Sequence, residues 1–252
     1  RPGGGVDALD ALDALDAIGS SVWSLVGCTA TSVPCVDHLE RSDDGGRTWR
    51  STPLPGLPAG AAALDRIDAG HAFVWSAFSS AAVAPAIIAT SDGGATWHTR
   101  ANPCGRMLAG VAGVNGFDLW ASCSYSGITA APKEVFRSPD GGATWVLTAR
   151  VGMQPAADVG RLPISGYGAD LIAINDQVAI LTSGRGTVSV STDAGRTWRP
   201  AIAFDEFNGT ITRLRGSDTV WVGSAHNGGP QFGVWRATDG IQFQLIAVGT
   251  PY

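Results

Sequence analysis

Basic residues are scarce in this sequence, and lysine is almost missing from it. The 252 residues include 17 Lys and Arg against 22 Asp and Glu, so the net charge is −5, and Lys133 is the only lysine. Proteins that bind nucleic acid or anionic membranes usually carry clusters of basic side chains. The composition therefore argues against nucleic acid and against an anionic membrane surface as the main partner.

Long hydrophobic runs are also lacking. No apolar stretch approaches the roughly 18 residues that a membrane-spanning helix needs. The first residues also lack the charged and apolar segments that make up a signal peptide. We therefore expect no transmembrane segment.

Histidine is limited to four residues, which are far apart in the sequence: His38, His71, His98 and His226. A zinc site needs several His, Cys or acidic ligands that converge, and structural sites often use C-x-x-C pairs. Neither pattern occurs here. No glycine motif of the kind that follows a strand, opens a helix and holds a phosphate is found either. We therefore predict neither a metal site nor a cofactor.

The four cysteines fall into two local pairs, Cys28 with Cys35 and Cys104 with Cys123. An even number of locally paired cysteines is typical of disulfides formed in an oxidising compartment. We predict two disulfides and an extracytoplasmic protein, which is secreted, periplasmic or on the cell surface. Four free thiols in a cytosolic protein are the alternative. A composition rich in Ala, Gly and Arg and poor in Lys suggests a bacterial source.

A repeated turn is the most abundant feature of the chain. Four segments follow the pattern Ser/Thr-x-Asp-x-Gly-x-Thr-Trp, and a fifth copy, at 237–243, is one residue shorter and ends in Phe. We call these segments the Asp turns; their aspartates are Asp44, Asp92, Asp140, Asp193 and Asp239. Successive copies lie roughly 50 residues apart, and self-similarity at such a period indicates a repeat architecture.

The chemistry of the Asp turns is that of a tight hairpin. The carboxylate can accept hydrogen bonds from backbone N–H groups of the following turn, and the second glycine tolerates a positive φ. Thr begins a new strand, and Trp places a large apolar surface on a neighbouring unit. We therefore predict that the Asp turns are structural.

The pattern S-x-D-x-G-x-T-W resembles the Asp box, or BNR repeat, of sialidases, sortilin-type receptors and photosystem II assembly-factor-like proteins. The resemblance implies a β-propeller in which each Asp turn joins the third and fourth strands of a blade, away from the ligand face. We predict one all-β domain over residues 1–252, a monomer with five four-stranded antiparallel blades at approximately 6–55, 60–101, 106–150, 168–203 and 210–250. Part of a seven-bladed ring is an alternative.

Four tryptophans recur in the second strands of the predicted blades. Trp23, Trp75, Trp120 and Trp221 are interpreted as occupying one equivalent position. Large aromatic side chains at such a position favour burial between blades. Platforms on which sugars stack are the alternative.

The loops on the side opposite the Asp turns are the candidates for binding. In an antiparallel blade, the loop after the second strand and the link to the next blade lie on one side, which we call the loop face. The resemblance implies that this face carries ligand sites, and long ordered loops such as 151–170 often have functions. The large polar and aromatic residues assigned to it are Arg106, Tyr125, Arg161, Tyr167, Glu206 and His226.

Two functions are compatible with these residues. The favoured function is a non-catalytic module that binds or assembles a protein or carbohydrate partner. The alternative is a glycoside hydrolase, either sialidase-like or with paired carboxylates such as Asp158 with Asp205 or Glu206. A sialidase-like site needs three arginines, a Tyr nucleophile and acidic partners, whereas this chain has three tyrosines and three glutamates in all. The Arg-Ile-Pro signature that precedes the first Asp box in sialidases is also missing here, so no catalytic residue is assigned.

Overall fold

The structure is a computed structural model that describes most of the chain. The described residues are 10–28, 37–57, 62–76, 85–105, 107–124, 133–151, 159–162, 170–183, 187–203, 208–213, 217–225 and 232–249. They form strands, turns and short irregular segments, with no helix among them. A helix long and apolar enough to cross a membrane is accordingly not found in these ranges.

Twenty strands form five four-stranded antiparallel sheets, each built from consecutive strands in chain order. Blade 1 contains β1 (Asp10–Ile18), β2 (Ser21–Cys28), β3 (His38–Ser42) and β4 (Arg50–Pro53). Blade 2 contains β5 (Ala62–Arg66), β6 (Ala72–Ser76), β7 (Ile87–Thr90) and β8 (His98–Arg100). Blade 3 contains β9 (Leu108–Gly113), β10 (Leu119–Ser124), β11 (Lys133–Ser138) and β12 (Val146–Arg150).

The last two blades follow the same plan. A two-residue strand, β13 (Gly160–Arg161), first adds to the outer edge of blade 3, parallel to β12. Blade 4 contains β14 (Leu171–Ala173), β15 (Ala179–Thr182), β16 (Thr187–Ser191) and β17 (Arg199–Ala203). Blade 5 contains β18 (Asn208–Arg213), β19 (Val220–Ala225), β20 (Phe232–Ala237) and β21 (Gln244–Gly249).

The five sheets are arranged as the blades of a β-propeller. The first strands of successive blades contact one another, in the order β1, β5, β9, β14 and β18. Each Asp turn joins the third strand of a blade to the fourth. The predicted all-β fold with five four-stranded blades is confirmed.

Hydrophobic cores lie between adjacent blades, and we call each such contact surface a seam. Between blades 1 and 2, the side chains of Trp23, Leu25 and Leu39 pack against Val74 and Ile88. Corresponding clusters join blade 2 to blade 3, blade 3 to blade 4, and blade 4 to blade 5. Burial of one such large apolar side chain contributes about 1.5–3 kcal/mol, so the seams account for much of the stability of the fold.

The strand register corrects the predicted equivalence of four tryptophans. Trp23 pairs with Arg41, the residue directly before the Ser that opens the Asp turn. Trp120 and Trp221 occupy the equivalent position, because each also pairs with the residue directly before its Asp turn. In blade 2, however, Phe73 occupies it, and Trp75 lies two residues further along the strand. The prediction for Trp75 was therefore wrong, although its burial in the seam between blades 2 and 3 agrees with it.

The corrected position alternates in chemistry around the propeller. In blades 1, 3 and 5 a Trp faces an Arg across the strand pair, with the guanidinium carbon 5.6, 4.8 and 5.5 Å from the ring centroid. These distances are within the range of cation–π contacts. In blades 2 and 4 the cross-strand pairs are apolar, Phe73 with Ala89 and Ile180 with Val190.

One predicted disulfide lies within the described residues and is formed. Cys104 and Cys123 are bonded to each other with 5.4 Å between their Cα atoms, and both are buried in the seam between blades 2 and 3. The bond ties the link that enters blade 3 to the second strand of that blade. Cys35 and the side chain of Cys28 lie outside the described residues, so their pairing stays a prediction.

Candidate functional site

Most of the predicted loop-face residues lie outside the described part of the chain. This applies to five of the six binding candidates, Arg106, Tyr125, Tyr167, Glu206 and His226, and to the carboxylates Asp158 and Asp205. Their assignment to a binding face therefore stays a prediction.

Arg161 is the candidate that the structure places. It is exposed on β13, where it pairs with Arg150 at the outer edge of blade 3 and forms a bridge with Thr197 in the Asp turn of blade 4. The preceding Gly160 has room for no side chain, because a Cβ there would lie 2.0 Å from the carbonyl oxygen of Arg196. The segment is thus packed against the Asp turn of the next blade, whereas the prediction assigned it to a loop.

A central cavity of about 470 Å³ is surrounded by the first strands of all five blades. Its lining comes from Asp16, residues 64–67, Trp75, and residues 111–114, 171–173 and 211–213. This cavity is not predictable from the sequence, because its residues are spread over some 200 positions and only the ring arrangement brings them together. The sequence contains one weak indication of the cavity, which is that two charged residues, Asp65 and Arg66, end an otherwise apolar first strand.

The charged groups of the cavity wall connect neighbouring blades. Arg66 is only 1% exposed; its guanidinium donates to the backbone oxygen and the hydroxyl of Ser21 at 3.1 and 2.9 Å and lies 4.3 Å from the ring centroid of Trp23. The carboxylate of Asp65 accepts the backbone N–H of Gly113 at 2.7 Å. Blade 2 is thereby connected to blade 1 on one side and to blade 3 on the other.

Arg213 performs the same role in blade 5. It donates to the carbonyl oxygens of Ala173 at 2.6 Å and Ser217 at 2.8 Å, and lies 3.6 Å from the carboxylate of Asp218. Polar side chains are most valuable at such positions because they satisfy backbone groups that would otherwise be buried without partners. The geometry therefore supports a structural role for Asp65, Arg66 and Arg213.

Four of the Asp turns share one hydrogen-bond pattern. In the first, the hydroxyl of Ser42 donates to Asp44 at 2.8 Å and accepts the N–H of Gly46 at 2.8 Å. The N–H and the hydroxyl of Thr48 also donate to the Asp44 carboxylate, at 2.8 and 2.6 Å. The turns of Asp92, Asp140 and Asp193 repeat these contacts.

The backbone of the Asp turns also agrees with the prediction. The second glycine has a positive φ in each of these four turns, from 80° at Gly94 to 88° at Gly46. A backbone hydrogen bond joins each turn to the first hairpin of its own blade, as between Gly45 and Ser20 or between Gly93 and Gly70. The Asp turns and the first hairpins therefore lie on the same side of the propeller, opposite the loop face.

The fifth Asp turn keeps only part of this network. Asp239 accepts the N–H groups of Ile241 and Gln242 at 2.9 and 2.8 Å. Ala237 stands where the other turns have Ser or Thr, and Gln242 stands where they have Thr. The two hydroxyl contacts of the other copies therefore have no counterpart here.

These hydrogen bonds stabilise the ionised carboxylates. The Thr144 hydroxyl, followed by the Thr144 N–H and the Ser138 hydroxyl, lowers the pKa of Asp140 from 3.8 to about 2. The equivalent Thr contacts hold the pKa values of Asp44 and Asp92 well below their usual range. Donors that bind the charged form produce this direction of shift.

We predict an acid transition that depends on the Asp turns. Because the folded-state pKa values are depressed, the stabilisation is complete above the unfolded value near 4 and is lost as the pH falls from about 4 towards 2. The melting temperature of the protein should be nearly constant from about pH 7 to 5 and should fall steeply below about pH 4.

Asp140→Asn supplies the test of that assignment. The variant should melt at a lower temperature than the parent at neutral pH, and its melting temperature should fall less steeply under acid. Circular dichroism melts of both proteins across the pH series measure the two slopes. Equal slopes for parent and variant would show that this turn does not contribute to the acid transition.

Comparison with known proteins extends the description of the fold. No protein-family model and no curated protein sequence matches the chain. Among solved structures, YCF48 bound to D1 peptide is similar with a TM-score of 0.55 and 14% identity, over 94% of this chain and 66% of that one. Trypanosoma rangeli sialidase in complex with the inhibitor DANA is similar with a TM-score of 0.51 and 12% identity, over 96% of this chain and 48% of that one.

The chain shares the propeller fold of these proteins. A second Trypanosoma rangeli sialidase complex, with 2,3-difluorosialic acid, gives a TM-score of 0.53 at 12% identity over the same shares of both chains. The propeller described here spans 66% of the YCF48 chain and about half of the sialidase chains. At these identities the likeness is one of fold.

Proposed function

We propose that this propeller is a non-catalytic module that binds a segment of a partner protein on its loop face. The observation that carries the proposal is the likeness to YCF48, which was solved with a bound D1 peptide and matches 94% of this chain at a TM-score of 0.55. The likeness concerns the fold, so the peptide partner of this chain is to be found by experiment.

The arrangement of the blades supports the choice of face. The Asp-turn side is occupied by repeated structural hydrogen bonds between four of the Asp turns and the first hairpins of their blades. The second strands of blades 2 and 3 end at Ser76 and Ser124, on the opposite side. The connections that begin there differ in length and sequence from blade to blade. Variable loops on a repeated scaffold are where binding residues concentrate.

The disulfide bears on the compartment that we propose for this protein. The bond between Cys104 and Cys123 supports an extracytoplasmic protein, because stable disulfides are rare in the cytosol. With the lysine-poor composition, it supports a bacterial protein exported from the cell.

A glycoside hydrolase is the second candidate, favoured by the likeness to the sialidase complexes. A sialidase-like enzyme uses a Tyr nucleophile, whereas a paired-carboxylate hydrolase needs two carboxyl groups about 5–9.5 Å apart beside the scissile bond. In the central cavity, the described lining contributes Asp16 and Asp65, and Asp65 is held by the backbone of Gly113. A carboxylate that fastens two strands together is poorly placed to act on a substrate, so the binding module is preferred.

A peptide-selection experiment tests the proposal. The immobilised protein should enrich binders from a phage-displayed library of random linear peptides, and alanine at Tyr125 and Tyr167 should weaken the selected peptides by about tenfold or more, as expected for aromatic anchors. Gln177→Ala, on the exposed Asp-turn side of blade 4, is the matched control and should bind normally.

The same protein is assayed with a fluorogenic sialoside. Selection of no peptide, together with release of the fluorophore, would replace the binding module by the hydrolase. Peptides that bind both tyrosine variants as well as the parent would remove the loop face from the proposal.

A further inference from the structure

The link that leaves blade 2 on the loop face is held in place by a side chain of its own. It comprises residues 101–107, between β8 and β9. Asn102, which is half-buried, lies near its start. The amide nitrogen of Asn102 donates to the carbonyl oxygen of Pro85 at 2.8 Å, and the amide oxygen accepts the backbone N–H of Cys104 at 2.9 Å. One side chain therefore holds the link against the base of the loop that precedes β7.

The same link is fastened to blade 3 at two points. Cys104 is bonded to Cys123 on β10. One residue further along β10, the backbone N–H of Ser124 donates to the carbonyl oxygen of Met107 at 3.1 Å. Cys104, Cys123 and Ser124 are each at most 4% exposed. The loop after the second strand of blade 3 begins directly after Ser124, so its base is connected through the link to Pro85.

Blade 2 differs from its neighbours in how the link is held to its own blade. In blade 1 the backbone N–H of Leu54 donates to the carbonyl oxygen of Asp37 at 3.2 Å, and in blade 3 Val151 donates in the same way to Lys133 at 2.9 Å. Both acceptors lie at or next to the start of the third strand. In blade 2 the bond to this part of the blade comes from the side chain of Asn102. A substitution can therefore remove it without altering the backbone.

The two loops that this link connects also stand out in composition. They are residues 77–86 of blade 2, which include Phe78, and residues 125–132 of blade 3, which include Tyr125, and neither loop contains a charged residue. The loops after the second strands of the other three blades contain no Phe, Tyr or Trp. Because the centres of protein interfaces are rich in aromatic residues and poor in charge, this composition favours a partner that presents apolar side chains.

We propose that the partner segment binds at the loop-face end of the seam between blades 2 and 3, and that Asn102 is a positioning residue for this site. The inference rests on the proposed function and names the part of the loop face that performs it. Asn102 acts without touching the partner. It keeps the bases of the two aromatic-containing loops in one arrangement, so that less order has to be gained on binding. The segment that fits this site is a linear peptide with apolar side chains.

Asn102→Asp separates the two hydrogen bonds of this side chain. The carboxylate has the shape of the amide and can still accept the N–H of Cys104, but it has no N–H to donate to Pro85. The variant thus keeps the turn within the link and removes the bond to the base of the blade 2 loop.

Asn175→Asp is the matched control, because it makes the same substitution on the opposite side of the propeller. Asn175 is half-buried in the first hairpin of blade 4. Its side-chain oxygen accepts the backbone N–H groups of Gln177 and Val178, both at 2.8 Å. Asp can accept both of these bonds, so the control adds the same charge at a turn of the same kind.

Biolayer interferometry measures the effect, with the tightest-binding peptide selected on the parent protein as the probe. Apparent affinity falls with the fraction of the protein that is in the binding arrangement. Asn102→Asp should therefore lower the association rate by about fivefold, as expected for one lost hydrogen bond, and leave the dissociation rate unchanged. Asn175→Asp should match the parent in both rates. Circular dichroism melts check that both variants are folded at the temperature of the assay.

The outcomes separate this inference from the function on which it rests. If the peptide associates with folded Asn102→Asp as fast as with the parent, the inference is overturned and the proposed function stands. An increase in the dissociation rate alone would mean that Asn102 contacts the peptide, which contradicts a positioning role. If the parent selects no peptide, the proposed function and this inference are overturned together.

Discussion

Replacing Trp120 by alanine should lower the free energy of unfolding by about 3–5 kcal/mol, the range for truncating a large aromatic side chain in a core. Trp120 is fully buried between blades 3 and 4. It meets the edge of Trp198, stacks with Arg137 at 4.8 Å and fills the space above Gly195. Removing the ring leaves a cavity and also leaves the Arg137 guanidinium without its aromatic partner.

Trp221→Ala is the matched control for this prediction, because Trp221 occupies the same repeat position in blade 5 but is only half-buried. Its loss should cost clearly less, about 1–2 kcal/mol, since less apolar area is returned to water. Urea unfolding followed by far-ultraviolet circular dichroism measures both values. Equal losses at the two positions would contradict the role assigned to the seam.

Removing the disulfide between Cys104 and Cys123 should have the second largest effect. The bond closes a loop with a sequence separation of 19, and a cross-link of about that span contributes about 3 kcal/mol by restricting the unfolded chain. Both cysteines are buried in the hydrophobic seam between blades 2 and 3. The double variant Cys104→Ala with Cys123→Ala therefore removes the cross-link with little change in polarity.

Thermal melts with and without a reducing agent measure this effect. The double alanine variant should melt well below the parent, and reduction should bring the parent close to the variant. A further decrease when the variant itself is reduced would reveal the bond predicted between Cys28 and Cys35. A variant as stable as the oxidised parent would show that the cross-link contributes little.

The sequence predicted the parts of the fold that depend on neighbouring residues. All contacts that define an Asp turn, such as those from Ser42 and Thr48 to Asp44, lie within seven residues of chain. A short pattern is therefore enough to place the turn, and the spacing of the turns is enough to count the blades. The alignment of tryptophans was harder. Phe73 and Trp75 point to the same side of one strand, so alternation alone cannot tell which of them matches Trp23, and only the pairing of Phe73 with Ala89 decides it.

The central cavity could not be predicted from the sequence, because the contacts within its wall are long-range. Arg66 reaches Ser21, which is 45 positions earlier, and Asp65 reaches Gly113, which is 48 positions later. Nothing in the local sequence indicates these partners. Arg161 was similarly assigned to a loop, because a strand of two residues that pairs in parallel with β12 has no recognisable periodicity.

The alternation of seam chemistry has a consequence for how such a chain can grow or shrink. Blades 1, 3 and 5 carry a Trp–Arg pair, whereas blades 2 and 4 carry the apolar pairs Phe73–Ala89 and Ile180–Val190. With respect to this position, the unit that recurs is two blades, or about 100 residues. Duplicating or deleting a single blade would place two Trp–Arg blades, or two blades with apolar pairs, side by side. Adding or removing two consecutive blades would keep the alternation. Shortened or extended versions of this protein should therefore be made in steps of a blade pair.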